Sequence, residues 1–161
     1  SRLSATRLAN VHASLELLGL EPFDEDSLYE NLNWVHDNQD EIEKRLFKNL
    51  PDKTLFLYDV TSSYLEGEHN ELAAYGYNRD GKKGKKQIVI GLLTDASGEP
   101  VAIEVFRGNS VDTATVESQV QKLKKKFKVS NITFVGDRGM IKAPQSELLK
   151  AEQFNYSTAL S

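Results

Sequence analysis

The sequence predicts an α/β fold: a mixed β-sheet, part antiparallel meander and part parallel, with helices on its faces and a helical segment in front. Three observations predict it. Apolar residues recur at helical spacing up to Leu50, and from Lys53 the period becomes that of strands. Two strand-like runs are separated only by Asp95-Ala96-Ser97-Gly98, which marks a hairpin. A strand, a helix and a strand then follow in turn up to Gly136, and such a crossover implies parallel pairing.

Residues 4–18 read as one amphipathic helix, with Leu8, Val11, Leu15 and Leu18 on one face and Gly19 as its stop. A second helical segment starts near Asp26 and Ser27, where Ser27-x-x-Glu30 matches a capping box. Its stripe is Leu28, Leu32, Val35, Ile42, Leu46 and Leu50; Asp37-Asn38 is where it would break in two, and Pro51 ends it. Trp34 is expected in a core or an interface. His12 and His36 lack partners at metal-ligand spacing. Residues 1–52 therefore form a helical segment with no assigned chemistry, and residues 53–161 form the core.

Residues 55–60 are a first strand, and 61–86 are irregular and rich in Gly, Tyr and Lys. Residues 87–94 and 101–106 are the hairpin strands. Asp112 is expected to cap a helix whose face is Val116, Val120, Leu123 and Phe127. Residues 132–136 are a fourth strand. Ala143-Pro144 opens a helix to about Ala151, with Pro in its first turn. Residues 155–160 are a fifth strand. The order βββαβαβ is that of the RNase H-like fold, in which the first and fourth strands are central neighbours. A flavodoxin-like sheet would need a helix between the second and third strands, where only turn residues stand.

Bulk properties narrow the function. No apolar run approaches the ~18 residues that span a bilayer. Cysteine is absent, which excludes disulfides and thiolate metal sites and fits the cytoplasm. The chain opens at Ser1 and stops at Leu160-Ser161 in a strand-like stretch, so a piece cut at both ends is expected. The net charge is −4, but it is unevenly spread. Residues 1–52 hold 5 Lys/Arg against 11 Asp/Glu, whereas residues 53–161 hold 15 against 13. The positive clusters are Arg79, Lys82, Lys83, Lys85 and Lys86, then Lys122, Lys124, Lys125, Lys126 and Lys128. Charge runs are ordinarily solvated faces, the reading favoured for the second cluster. For the first, aromatic and basic residues interleave on a loop, which suits phosphate contact and base stacking and equally suits a disordered insert.

Two aspartates carry the chemical expectation. Asp59 ends the run Leu55-Phe56-Leu57-Tyr58, and Asp137 ends Ile132-Thr133-Phe134-Val135-Gly136. Sheets of this kind gather functional groups at the carboxyl ends of parallel strands. Neighbouring strands lie roughly 4.8 Å apart, close enough for two carboxylates to share a divalent cation. Each Asp alone is adequately explained as a strand-end turn former. Together they suit Mg²⁺, a hard ion that takes oxygen ligands and phosphate. Paired ions can stabilise both the attacking and leaving oxygens of an in-line phosphodiester displacement. A third carboxylate is then expected.

Four blocks resemble bacterial insertion-sequence transposases of the DDE type, in family order over about residues 24–161. They are Tyr58-Asp59-Val60-Thr61-Ser62-Ser63-Tyr64; Gly76-Tyr77-Asn78-Arg79-Asp80-Gly81 with Gln87-Ile88-Val89-Ile90-Gly91-Leu92; Phe106-Arg107-Gly108-Asn109-Ser110-Val111-Asp112; and Val135-Gly136-Asp137-Arg138-Gly139-Met140. The resemblance implies an RNase H-like core in which Asp59 and Asp137 are the first two acidic residues, catalytic and metal-binding. It implies Mg²⁺ (or Mn²⁺) as cofactor, double-stranded DNA as partner (transposon ends and target), a homodimer, and a nucleoid-associated cytoplasmic location. Arg138, with Arg79, Lys82, Lys83, Lys85 and Lys86, is a candidate DNA contact. Thr61 is a support for Asp59, and Asn109 and Asp112 line the crevice. The sequence departs from the family at its end, where the glutamate of a tyrosine-arginine-glutamate-lysine motif is missing. Glu147 and Glu152 lack that context and read as solvent-facing. The expected activity is transposon-end cleavage and strand transfer by the whole protein, with this part inactive alone; the alternative is a truncated module that binds or pairs DNA without catalysis.

Overall fold

The computed structural model describes residues 2–77 and 84–159. The chain divides into two compact units, Ser1–Ile42 and Glu43–Ser161. The first contains α1 (Arg2–Val11), α2 (Ser14–Leu18) and α3 (Glu25–Asp37), and the boundary falls inside α4 (Gln39–Asn49). The division expected after residue 52 lies later in the chain. The second half of α4 belongs with the sheet because its apolar residues pack there: Phe47 stacks on Phe127 with centroids 4.5 Å apart and on Phe56 at 6.2 Å.

Two helix ends differ from expectation. The single helix expected over 4–18 is split, because the Ser14 hydroxyl donates to the Ala9 carbonyl (3.3 Å) and diverts an acceptor from the helical ladder. Gly19 then ends α2 in the left-handed region, φ +62°. The N-cap of α3 is Asp24, not Ser27: the Asp24 carboxylate accepts from the Ser27 amide (2.9 Å) and hydroxyl (2.7 Å). These bonds hold the exposed Asp24 carboxyl below the ordinary carboxylate range. The break at Asp37-Asn38 is present, with Asn38 returning its side-chain amide to the Trp34 carbonyl (2.8 Å).

The second unit is a five-stranded mixed sheet in the order β3-β2-β1-β4-β5. Its strands are β1 (Leu55–Leu65), β2 (Lys86–Asp95), β3 (Pro100–Arg107), β4 (Thr133–Gly136) and β5 (Asn155–Ser157). β1 and β2, and β2 and β3, pair antiparallel; β1 and β4, and β4 and β5, pair parallel. β1 runs past the expected Val60 because its ladder with β2 continues to Leu65, through strand-forming Thr61 and Tyr64. β5 is seen as Asn155–Ser157; Leu160, its expected end, lies outside the described residues. The buried Asp95 closes the β2–β3 hairpin by accepting from the Ser97 and Glu99 amides (both 2.9 Å).

α5 (Asp112–Gln121) continues through a π-helical turn (Lys122–Lys126) and links β3 to β4; α6 (Ala143–Ala151) follows with Pro in its first turn. The predicted face of α5 is its buried face: Val116, Val120 and Leu123 are inaccessible and Phe127 nearly so. They share one core with Phe56, Tyr58, Val60, Leu93 and Phe134 from the sheet and Leu149 from α6. Three lysines of the second cluster are structural, while Lys125 and Lys128 are exposed. Lys126 pairs with the buried Glu43 at 2.6 Å, Lys122 reaches Glu43 and Glu104 at 3.6 and 3.5 Å, and Lys124 reaches Glu152 at 3.6 Å. Glu43 also accepts from the Ile103 amide (3.2 Å), so this ion pair covers part of the exposed edge of β3.

Candidate active site

β1 and β4 are hydrogen-bonded neighbours, and their register sets the site. Leu57 pairs with Val135 and Tyr58 with Gly136. The next residue on each strand is an aspartate, so Asp59 and Asp137 leave adjacent parallel strands at the same level. Alternation puts Phe56, Tyr58 and Val60 into the core and turns Leu57, Asp59 and Thr61 outward. Both aspartates are exposed, and both line one open cleft of about 260 Å³ with Leu57, Leu92, Thr94 and Val135.

The loop after β4 is short and fixed. The Asp137 carbonyl accepts from the Met140 and Ile141 amides (3.1 and 3.2 Å), and its carboxylate accepts from the Gly139 amide. Met140 and Ile141 anchor that turn in the core. Asp59 Oδ1 accepts from the Val60 amide (2.8 Å), so that bond orients it; Thr61 lines the adjoining cavity. Two carboxylates with oxygen-only donor chemistry in an open cleft fit a hard divalent cation. Among the described residues no group of three or more His, Cys, Asp or Glu is arranged to hold a metal. Glu147 bonds to Lys150 (3.2 Å) and Glu152 pairs with Lys124, so these late acids are engaged on the surface.

Among the described basic candidates, Lys85 and Lys86 do not reach this pair. Arg138 is exposed in the turn directly after Asp137. Lys86 pairs with Leu65, six residues along β1 from Asp59, which is roughly 20 Å at strand spacing. Lys85 forms an exposed ion pair with Glu66 (2.9 Å), which raises its ammonium pKa. Arg79, Lys82 and Lys83 lie outside the described residues.

A second cavity, about 310 Å³, adjoins the pair and is lined by Thr61, Ser62, Tyr77, Asn109, Asp112 and Lys142 among others. Val111, not Asp112, is the N-cap of α5; Asp112 is its first helical residue, one position too late to cap. Its Oδ2 lies 3.8 Å, and Asp137 Oδ1 3.0 Å, from the point where a Cβ on Gly139 would stand. Asn109 and Asp112 line this second cavity and are not among the residues lining the cleft of the two aspartates.

Two residues quoted from sequence only as part of the second block, Gln87 and Gly91, make contacts that the sequence did not disclose. Buried Gln87 donates its side-chain amide to the Tyr77 carbonyl (2.9 Å) and the Gly108 carbonyl (2.8 Å), while its backbone pairs with Ala74. A polar residue opening an apolar strand was the available signal. Gly91 lies under the Tyr58 ring, whose hydroxyl occupies the place of any Cβ there. Burial pushes the Tyr58 phenol up to about 12; the Thr115 hydroxyl alongside opposes this, and the Glu104, Asp112 and Asp59 carboxylates add to it. The Thr115 hydroxyl donates to the Asp112 carbonyl (2.7 Å), and the buried phenol has no hydrogen-bond partner among the described residues.

A family model, the transposase DDE domain, matches residues 50–161. No curated protein matches the chain. Among solved structures, the piggyBac transposase synaptic complex with hairpin DNA is similar with a TM-score of 0.56 and 17% identity, over 87% of this chain and 31% of that one. The Mos1 transposase paired-end complex with left transposon end aligns with a TM-score of 0.43 and 11% identity, over 97% of this chain and 57% of that one. The chain thus spans about a third to somewhat over half the length of these two proteins. The piggyBac likeness, with the sheet order above, establishes the RNase H-like fold.

Proposed function

Because the chain belongs to the transposase DDE domain family, we propose that Asp59 and Asp137 hold divalent cations at which the whole protein cuts and joins DNA. The observation that carries this is the register of β1 against β4, with Tyr58 opposite Gly136, which brings two acidic residues far apart in sequence to one lip. Bound there, Mg²⁺ or Mn²⁺ would supply charge stabilisation to the attacking and leaving oxygens of an in-line displacement. The chain's own residues prepare the place. The Val60 amide orients Asp59, and the Gly139 amide orients Asp137. The exposed Gly139 leaves backbone room for a sugar–phosphate chain, and Arg138 stands beside the lip as a phosphate contact.

The proposed substrates are double-stranded transposon ends and target DNA. Water cleaves a phosphodiester at the transposon end, and the freed 3′-hydroxyl then attacks the target. The piggyBac neighbour is a transposase complex with hairpin DNA, which supports DNA as the partner. The complete site takes a third carboxylate beyond the two brought together here. The test is incubation of this chain with supercoiled plasmid and Mg²⁺ or Mn²⁺. The expected result is no nicking; metal-dependent turnover would overturn the requirement for a third acidic residue.

A further inference from the structure

We propose that the helices of the Ser1–Ile42 unit are a docking surface for a basic amphipathic helix of a partner protein. Two independent observations point there. The first is that the unit has no core of its own. Among its described residues no hydrophobic side chain is buried; Thr6 alone is. Short helices draw most of their stability from packing of an apolar face, and here that face lies open. On α3, Tyr29, Leu32 and Val35 follow at three-residue spacing, which places them on one side of the helix. Leu32 and Val35 are 51% and 49% exposed, and Leu8, Val11, Leu17 and Leu18 are more exposed still. Apolar residues grouped on a helix and rimmed by polar ones mark an interaction surface.

The second observation is charge, and it identifies the partner's chemistry. Residues 8–42 contain nine Asp/Glu and no Lys or Arg. On α3, Asp26, Glu30 and Asp37 stand at i, i+4 and i+11, an exposed acidic row beside the apolar stripe. A groove of about 450 Å³ between α1 and the start of α3 pairs the same chemistries: Leu3 and Phe23 with Asp24, Glu25 and Asp26, and one cation, Arg7.

That charge repels DNA and anionic membranes alike. It also opposes a second copy docking by the same face, because a two-fold pair repeats one patch on both sides and would set acid against acid. A helix with an apolar stripe flanked by Lys and Arg meets both features. Its stripe covers Leu32 and Val35, and its cations face the acidic row, which sets its direction and register. None of these residues lines the cleft of Asp59 and Asp137, so the surface serves a purpose other than phosphodiester chemistry.

The test titrates the full chain into a fluorescein-labelled synthetic peptide of Leu and Lys, patterned as an amphipathic helix, and follows anisotropy. Two control peptides have the same length: one has the same residues shuffled so that no apolar face forms, the other has Glu in place of Lys. The Leu/Lys helix is expected to bind about tenfold more tightly than either control, and to weaken by a similar factor at about 1 M salt, where the Debye length is ~3 Å. Leu32→Gln with Val35→Gln, and Asp26→Asn with Glu30→Gln, are each expected to weaken it by about tenfold. All four side chains are exposed, so an unchanged unfolding midpoint separates loss of the surface from loss of the fold. Absence of binding overturns the proposal, as do equal binding of either control peptide and an affinity that survives both double variants. Self-association of the chain alone in sedimentation, abolished by Leu32→Gln with Val35→Gln, overturns it in favour of a second copy.

Discussion

The two faces of β1 are built from alternate residues of one strand and serve different ends. Phe56, Tyr58 and Val60 point into the core and are at most 3% exposed. Leu57, Asp59 and Thr61 point the other way and stay open to solvent. Packing thus determines the inner row, and nothing in the packing requires an aspartate in the outer row. The comparison teaches that stability and chemistry are separable here at a spacing of one residue.

The largest expected effect is on the inner face. Phe134→Ala removes a fully buried ring from the strand that carries Asp137, and about 3–5 kcal/mol of unfolding free energy should be lost in a denaturant titration. Gly91→Ala comes next. Its Cβ overlaps the Tyr58 hydroxyl, which the core prevents from moving aside, so about 1–3 kcal/mol should be lost. Tyr58 also predicts a pH effect. Its folded-state pKa is raised from 10.0 to about 12, so the unfolded chain ionises first as pH climbs. Stability should be intact below pH 10 and fall between pH 10 and about 12, and Tyr58→Phe should flatten that decline. Smallest is the outer face. Asp59→Asn should leave stability within about 0.5 kcal/mol, or raise it slightly by relieving repulsion from Asp137. A loss like that of Phe134→Ala would end the separation of the two faces.

Much of this arrangement was legible in the sequence because it depends on local period. The element order, the face of α5 and the Asp37-Asn38 break all follow from spacing and cap chemistry within single elements. What sequence did not disclose depends on distant partners. The bonds of Gln87 run to residues 10 and 21 positions away, and no short-range pattern reports them. Lys126 looks like one more solvated lysine until Glu43, 83 residues earlier, is placed beside it. The cap of α3 was misplaced for a nearer reason: Asp24 and Ser27 are both good capping residues, and the carboxylate, accepting two bonds, takes the position. The pairing of Asp59 with Asp137 was legible only through topology, since one side chain at each strand end is unremarkable alone.

The central claim is that these two carboxylates act as one cation site. Titration of Mn²⁺ into this chain, followed by electron paramagnetic resonance, tests it most directly. The account predicts one weak site that disappears in Asp59→Asn and equally in Asp137→Asn, with both variants folded. Retention of that site in either variant would contradict it.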